Sequence, residues 1–229
     1  MHRSNHLFAL GLFGGYLMLI LAAVLRQGAT ALCLAALVWC LGLVFLQFAR
    51  RQYTSREVVL LCVLTCLATL SRVIFYFTPQ IKPMSAVVIV CGACFGPGAG
   101  GFVGLFSALL SNFVFGQGVF TPFQMMGLAA VGFLAGLLFF NRPVSANNPW
   151  VLIYAFLSVM LLYGLTVDTS SVLFLARGCG ATAVAAVYLA GIPFNFLHAV
   201  STVLFLALFG NSFQSKCLRA AKIYKVKKI

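Results

Sequence analysis

The run MSAVVIVCGACFGPGAGGFVGLFSALLSNFVF, Met84 to Phe115, carries no charged residue and is interrupted by Gly96-Pro97-Gly98. How the interruption is read decides how often the chain crosses a bilayer. Read as one helix, the run is a single long crossing. Read as two, it is a twelve-residue segment, 84–95, and a longer one, 98–115. Twelve residues give about 18 Å of helix, too little for a hydrocarbon core of about 30 Å. Glycine and proline both oppose a continuous helix here, and backbone broken at membrane depth survives only against protein or a wet cavity.

Working outward, residues 4–25, 27–49, 58–71, 83–141, 143–167 and 178–215 are also free of Lys, Arg, Asp and Glu. With 63% apolar and 7% charged residues, the composition departs from that of soluble domains, about half apolar and a quarter charged. Helices are expected at about 7–25, 29–49, 57–77, 84–95, 98–115, 122–140, 149–167 and 183–209. Basic residues concentrate on the cytoplasmic side of membrane proteins, which chooses between the two counts. With eight segments and a cytoplasmic N-terminus, Arg3, Arg50, Arg51, Arg56, Arg142, Lys216, Arg219, Lys222, Lys225, Lys227 and Lys228 lie inside, leaving Arg26, Arg72, Lys82 and Arg177 outside. With seven segments, Arg142 and the C-terminal cluster move outside and the bias reverses. The expectation is therefore an all-α, multi-pass protein of the cell membrane with both termini cytoplasmic. Met1-His2-Arg3 and Ala29-Thr30-Ala31 resemble parts of a cleaved leader, but the apolar run Leu7–Leu25 exceeds the usual leader core. Retention is expected.

The chain has only two acids, Glu57 and Asp168, and three histidines. No carboxylate pair, acidic metal cage or zinc spacing can be assembled, so neither catalysis nor a cofactor or metal is expected. The net charge of +13 is spread between apolar runs rather than gathered on a soluble face, which argues against nucleic acid and for contact with the lipid bilayer. The eight cysteines lie in or beside apolar stretches and read as small buried hydrophobes. Gly11/Gly15, Gly100/Gly104 and Gly132/Gly136 are GxxxG pairs suited to close helix packing.

Polar side chains near hydrocarbon are costly and face cavities or one another. In the eight-segment topology Arg72, Tyr76, Gln80, Lys82, Asn112, Gln117, Thr121, Gln124, Asp168 and Arg177 gather at the outer side, where they imply a polar, outward pocket. Arg72 reads equally as snorkelling to headgroups, Lys82 and Arg177 as loop charges, and Asp168 as the partner of one of those bases. In Phe115-Gly116-Gln117-Gly118-Val119-Phe120-Thr121-Pro122-Phe123-Gln124, aromatics flank two amides, a combination that grips planar or amphipathic organic molecules. Asn195 and His198 share a helical face, and an interhelical hydrogen bond is the expected role for His198.

Taken together, Pro79-Gln80-Ile81-Lys82-Pro83, Phe95-Gly96-Pro97-Gly98-Ala99-Gly100, Ser107–Phe113, Phe115-Gly116-Gln117-Gly118, Thr121–Met125 and Gly191–Thr202 resemble the substrate-binding S component of energy-coupling factor (ECF) vitamin transporters, over about residues 57–215. The resemblance is closest to members assigned to cobalamin and related corrinoids. It implies a six-helix S-component bundle beginning with the segment at 57–77. The chain departs from that pattern in two extra transmembrane helices that precede it, so the expected division is a helix pair at 1–52, the membrane domain at 53–215 and a basic cytoplasmic tail at 216–229. It further implies capture of a vitamin from outside and delivery with a transmembrane coupling protein and two cytoplasmic ATPases. No phosphate-binding G-x-x-x-x-G-K-[ST] occurs, in keeping with hydrolysis on a partner. By position the resemblance makes Lys82, Asn112, Gln117, Gln124 and Asn195 ligand residues, to which the polar inventory adds Arg72 and His198. Where the family presents an alanine-spaced face to the coupling protein, this chain has Cys62, Thr65, Cys66 and Thr69. The competing readings are a stand-alone secondary transporter or channel for a small organic solute, which has no mid-helix acid but is kept open by the break at Gly96, and a membrane enzyme acting on lipid, for which no nucleophile or metal constellation can be assembled.

Overall fold

The computed structural model describes residues 2–25, 29–51, 53–175 and 180–223, and every regular element in them is helical. Arg26, Arg177, Cys179, Lys225, Lys227 and Lys228 fall outside the described residues. In chain order the helices are α1 (His2–Leu25), α2 (Ala29–Arg51), α3 (Ser55–Ile74), α4 (Met84–Phe95), α5 (Pro97–Phe115) and α6 (Thr121–Phe139). Then α7 (Pro149–Leu157) runs through a π turn, Ser158–Tyr163, into α8 (Gly164–Leu175). Likewise α9 (Ala181–Phe205) runs through a second π turn, Leu206–Gly210, into α10 (Asn211–Ile223).

Five helical stretches are long and apolar enough to cross a membrane: Ser55–Ile74, Pro97–Phe115, Thr121–Phe139, Pro149–Leu173 and Ala181–Ile223. Asn5–Leu21, Cys33–Leu43 and Met84–Phe95 are shorter apolar helices. The chain is thus an all-α, multi-pass membrane protein. Large apolar side chains such as Phe13, Leu34, Val63, Ile74 and Leu208 point outward, exposed on the bundle surface, as lipid-facing residues do.

The break at Gly96 is real. Its φ of 97° lies in the left-handed region that glycine enters without a Cβ clash, and Pro97 starts α5 at a position where a missing N–H costs nothing. The chain turns there, and α4 and α5 pack against each other and against α6. Nearly every residue of α4 is buried. A helix too short to span is thereby covered by protein on all sides, which removes the need to meet lipid.

Glycines set the distances at this centre. A Cβ on Gly132 would collide with the Gly100 carbonyl, one on Gly104 with the Leu128 carbonyl, and one on Gly136 with the backbone of Pro97. The two GxxxG pairs of α5 and α6 therefore interlock, with Gly92 of α4 as a third party. Gly11 and Gly15 face Leu43, Met126 and Trp39 instead, and Trp39 Nε1 donates to the Gly11 carbonyl at 2.9 Å. The α1–α2 pair formed this way seats against α5, α6 and α8, with Phe8 and Phe133 ring centroids 5.3 Å apart.

Thr54 and Glu57 form a reciprocal capping box at the start of α3, in which Thr54 N–H donates to Glu57 Oε2 at 2.8 Å. This occupies one of the chain's two acids. Of the described cysteines, Cys33, Cys40, Cys91, Cys94 and Cys217 are buried, whereas Cys62 and Cys66 are exposed on α3.

Past residue 209 the structure differs from the sequence reading. Helix continues to Ile223, so Lys216, Arg219 and Lys222 ride on a helix rather than a tail. Lys and Arg are good helix formers, and buried contacts hold the extension. Gln214 Oε1 accepts from Val144 N–H and its Nε2 donates to the Arg142 carbonyl, both at 2.8 Å, so α10 clamps the 141–148 loop.

Candidate functional site

One end of the bundle holds a cavity of about 760 Å³, formed by the loop after α3, the ends of α5 and α6, and the facing sides of α8 and α9. The loop is closed on itself: Lys82 Nζ donates to the Phe75 carbonyl at 3.0 Å, and Thr78 Oγ1 donates to the same carbonyl at 2.9 Å. Its succession of turns needs one left-handed residue, Gln80, at φ 57°.

Arg72 leaves the last turn of α3 and reaches into the bundle. Its Nη1 donates to Ser111 Oγ at 2.6 Å and to Asn112 Oδ1 at 2.8 Å, and the guanidinium lies 4.4 Å from the Phe115 ring centroid. Lys82 Nζ lies 4.8 Å from the same centroid. A single ring thus carries two cations, an arrangement worth about 0.5–2 kcal/mol for each where water is excluded. Burial first, and the neighbouring Arg72 charge second, push the Lys82 ammonium below its ordinary pKa.

Behind Arg72 lies an amide network. Asn112 is fully buried. Its Nδ2 donates to Gln124 Oε1 at 2.8 Å and to Thr121 Oγ1 at 3.3 Å. Thr121 Oγ1 in turn donates to Gln117 Oε1 at 2.9 Å, and Gln117 Nε2 donates to the Leu109 carbonyl at 3.0 Å. The network fixes the chain around Gly116-Gln117-Gly118 and, through Asn112, the direction of both Arg72 and Gln124.

The opposite wall is built from α8 and α9. Asn195 Nδ2 donates to Asp168 Oδ2 at 2.6 Å. Two glycines make the room: a Cβ on Gly191 would meet Asp168 Cγ at 2.7 Å, and one on Gly164 would meet Asn195 Nδ2 at 2.7 Å. The floor contains Tyr163 and His198, whose rings meet edge-on at 5.3 Å, and His198 Nε2 shares a hydrogen bond with Ser85 Oγ at 3.1 Å.

Of the residues singled out from sequence, Arg72, Lys82, Gln124, Asn195 and His198 converge on this cavity. Asn112 and Gln117 do not line it. Asn112 stands one layer back, and Gln117 borders a separate, almost wholly apolar cleft of about 500 Å³ between α2 and the α5–α6 turn. Asp168 lines the cavity and pairs with an amide; among the described residues it makes no ion pair with a base. His198 does make the expected interhelical hydrogen bond, to α4. On α3, Cys62 and Cys66 are exposed and Thr69 is half-buried, while Thr65 is buried with its hydroxyl on the Leu61 carbonyl at 2.8 Å. Tyr163 and Ser171 belong to the wall without having been selected, and Phe115 and Gly191 entered only within longer sequence stretches. Gly191 was detectable, because a glycine facing a lone acid across a helix pair leaves space for it; Tyr163, deep in an unbroken apolar run, gave no signal.

The fold and cavity define a polytopic α-helical membrane protein with a polar, ligand-sized chamber set into an apolar bundle. Residues 56–209 match the family described as ECF transporter, substrate-specific component, and the chain belongs to that family, a non-catalytic transport component. No curated protein and no solved structure matches the chain.

Proposed function

We propose that this protein is the capture subunit of an ECF-type importer, taking a vitamin from outside the cell into the Arg72–Asp168 cavity. It then delivers the cargo with a transmembrane coupling protein and two cytoplasmic ATPases. The observation that carries this reading is the gathering of polar side chains, Arg72, Lys82, Gln124, Asp168, Asn195 and His198, around a cavity of about 760 Å³. Ligand pockets of organic molecules fall at about 300–1,000 Å³. The positive-inside bias supports placing that end of the bundle outside, with the α1–α2 pair an addition to a six-helix unit.

A corrinoid is the cargo the sequence resemblance favours. A cavity of this volume seats only part of so large a macrocycle, the rest standing above the loop at 75–83. Titration of the purified protein with cobalamin tests it, and a flat titration removes the corrinoid while leaving the subunit assignment in place.

The assignment itself is tested by uptake. Cells expressing this chain with the coupling protein and ATPases should accumulate the cargo, and cells expressing it alone should not. Equal uptake by the chain alone would mark it as a self-sufficient transporter.

The exposed strip of α3, with Cys62, Cys66 and the outer edge of Thr69, supports a role as the coupling-protein face; Thr65 lies beneath it. Cys62→Trp should leave cargo binding unchanged and lower ATPase-dependent uptake by about tenfold or more, as expected when a bulky ring holds two closely packed helices apart. Unchanged uptake in that variant would move the docking face elsewhere.

A further inference from the structure

The protein contains two carboxylate side chains in all. Glu57 is held in the capping box of α3, and Asp168 is engaged by Asn195. Neither pairs with Arg72 or Lys82: among the described residues neither cation has an ion-pair partner. Both nevertheless converge on the Phe115 ring at the cavity wall. A buried or half-buried charge without a counter-charge is costly, and a ring face returns only part of that cost.

Donor counting points the same way. A guanidinium has five N–H donors, and the Arg72 bonds to Ser111 and Asn112 both use Nη1. Nε and Nη2 remain. An ammonium has three, and Lys82 spends one on the Phe75 carbonyl. The cavity therefore offers a cluster of unspent cationic donors at one end. At the other, Asp168 Oδ1 remains an open acceptor beside Asn195.

We infer that the cargo is an organic anion, whose carboxylate or phosphate group docks between Arg72 and Lys82 over Phe115 and whose body carries a hydrogen-bond donor for Asp168. The inference rests on the capture-subunit reading and narrows it to a substrate class. It excludes ligands that are neutral or cationic at the Arg72 end. A planar or apolar middle would lie against Tyr76, Phe194 and Tyr163, which line the space between the two polar ends.

Matched pairs of vitamins test it, using the purified full-length protein in lipid nanodiscs and calorimetric titration. The pairs are pantothenate and pantothenol, nicotinate and nicotinamide, biotin and biotin amide, and pyridoxine phosphate and pyridoxine, with cobalamin alongside. The first three read a carboxylate and the fourth a phosphate. In at least one pair the anionic member should bind about tenfold to hundredfold more tightly than its neutral partner, the range that follows from a charged hydrogen bond of about 1.5–3 kcal/mol. Arg72→Gln and Lys82→Met should each erode that preference, and Arg72→Lys should keep part of it. Lys82 sits on a loop, so its variant reads the site even if Arg72→Gln fails to fold. Equal or tighter binding of the neutral members, cobalamin binding that neither Arg72→Gln nor Lys82→Met weakens, or no saturable binding by any member overturns the inference. ATPase-dependent uptake of a neutral cargo would overturn the anion assignment and leave the capture-subunit reading standing. Anion binding without such uptake would do the reverse.

Discussion

Asn112→Leu is expected to weaken cargo binding by about tenfold to hundredfold, although Asn112 does not reach the cavity. The residue is fully buried and stands between two cavity groups, accepting from Arg72 and donating to Gln124. Leucine has similar bulk and no polar atom, so the packing survives. What disappears is the instruction that aims a guanidinium and an amide at the ligand. A hydrogen bond to a charged group contributes about 1.5–3 kcal/mol, and loss of that amount of binding energy gives the stated range. Arg72 keeps Ser111 and can reach water in the cavity, so the melting temperature should fall much less than the affinity. The same titration on Gln117→Ala gives the contrast. Gln117 is exposed and its side chain hydrogen-bonds to Thr121 and the Leu109 carbonyl, outside the cavity wall, so its loss should change affinity by no more than about threefold, as for ordinary surface substitutions. Equal effects of the two variants, or an unchanged affinity for Asn112→Leu, would show that the network does not position the site.

That ordering also locates what the sequence could reveal about the site. Polar residues at the ends of apolar helices are so rare in this chain that listing them recovers most of the cavity. Arg72, Lys82 and Gln124 stand out by scarcity, and Asn195 and His198 by sharing a helical face; all five line the cavity. Scarcity has no depth, however. It ranks Asn112 and Gln117 with the wall residues, because sequence spacing shows that they share a helix end with the cavity but not which layer they occupy. Asp168 was legible as a residue needing a partner. Opposite charge is the simplest pairing rule and pointed to Lys82 or Arg177; Lys82 bonds the Phe75 carbonyl instead, Arg177 lies outside the described residues, and Gly164 and Gly191 let α8 and α9 close on an amide–carboxylate pair.

The fold was legible for a related reason. Charge-free gaps show where apolar helix lies, and Gly96-Pro97 separates α4 from α5. What escaped was the end of the last helix. Charges past residue 209 were read as the start of a tail, yet hydropathy reports where hydrocarbon stops and not where backbone hydrogen bonding stops. The turn at Leu206–Gly210 shifts the register so that Gln214 and Cys217 face inward while Lys216 and Arg219 stay exposed.

Gly132→Leu should have the largest effect on the protein as a whole, abolishing recovery of folded protein rather than tuning it. Lipid supplies no hydrophobic drive between helices, so the close approach of backbones at small residues is itself the source of association. At Gly132 that approach is a three-helix event. The missing side chain would occupy the space of the Gly100 carbonyl, and Val88 Cγ1 of α4 would lie 2.7 Å from the new Cβ. Overpacking a core position ordinarily costs about 1–3 kcal/mol because neighbours shift aside. Here the neighbours include backbone of α5, which cannot rotate away, and moving that helix would also disturb the Gly104–Leu128 and Gly136–Pro97 contacts. The cavity end would suffer with it, since Phe115, Asn112 and Ser111 sit on the same helix as Gly100. Gly42→Ala is the control: an added Cβ there meets nothing within 4 Å, and exchanging glycine for alanine in a helix favours the folded state by about 0.5–1 kcal/mol. Size-exclusion profiles and thermal melts of the two variants in the same detergent should therefore move in opposite directions. A monodisperse, ligand-binding Gly132→Leu protein would mean that α4, α5 and α6 are held together by something other than the interlocked glycines.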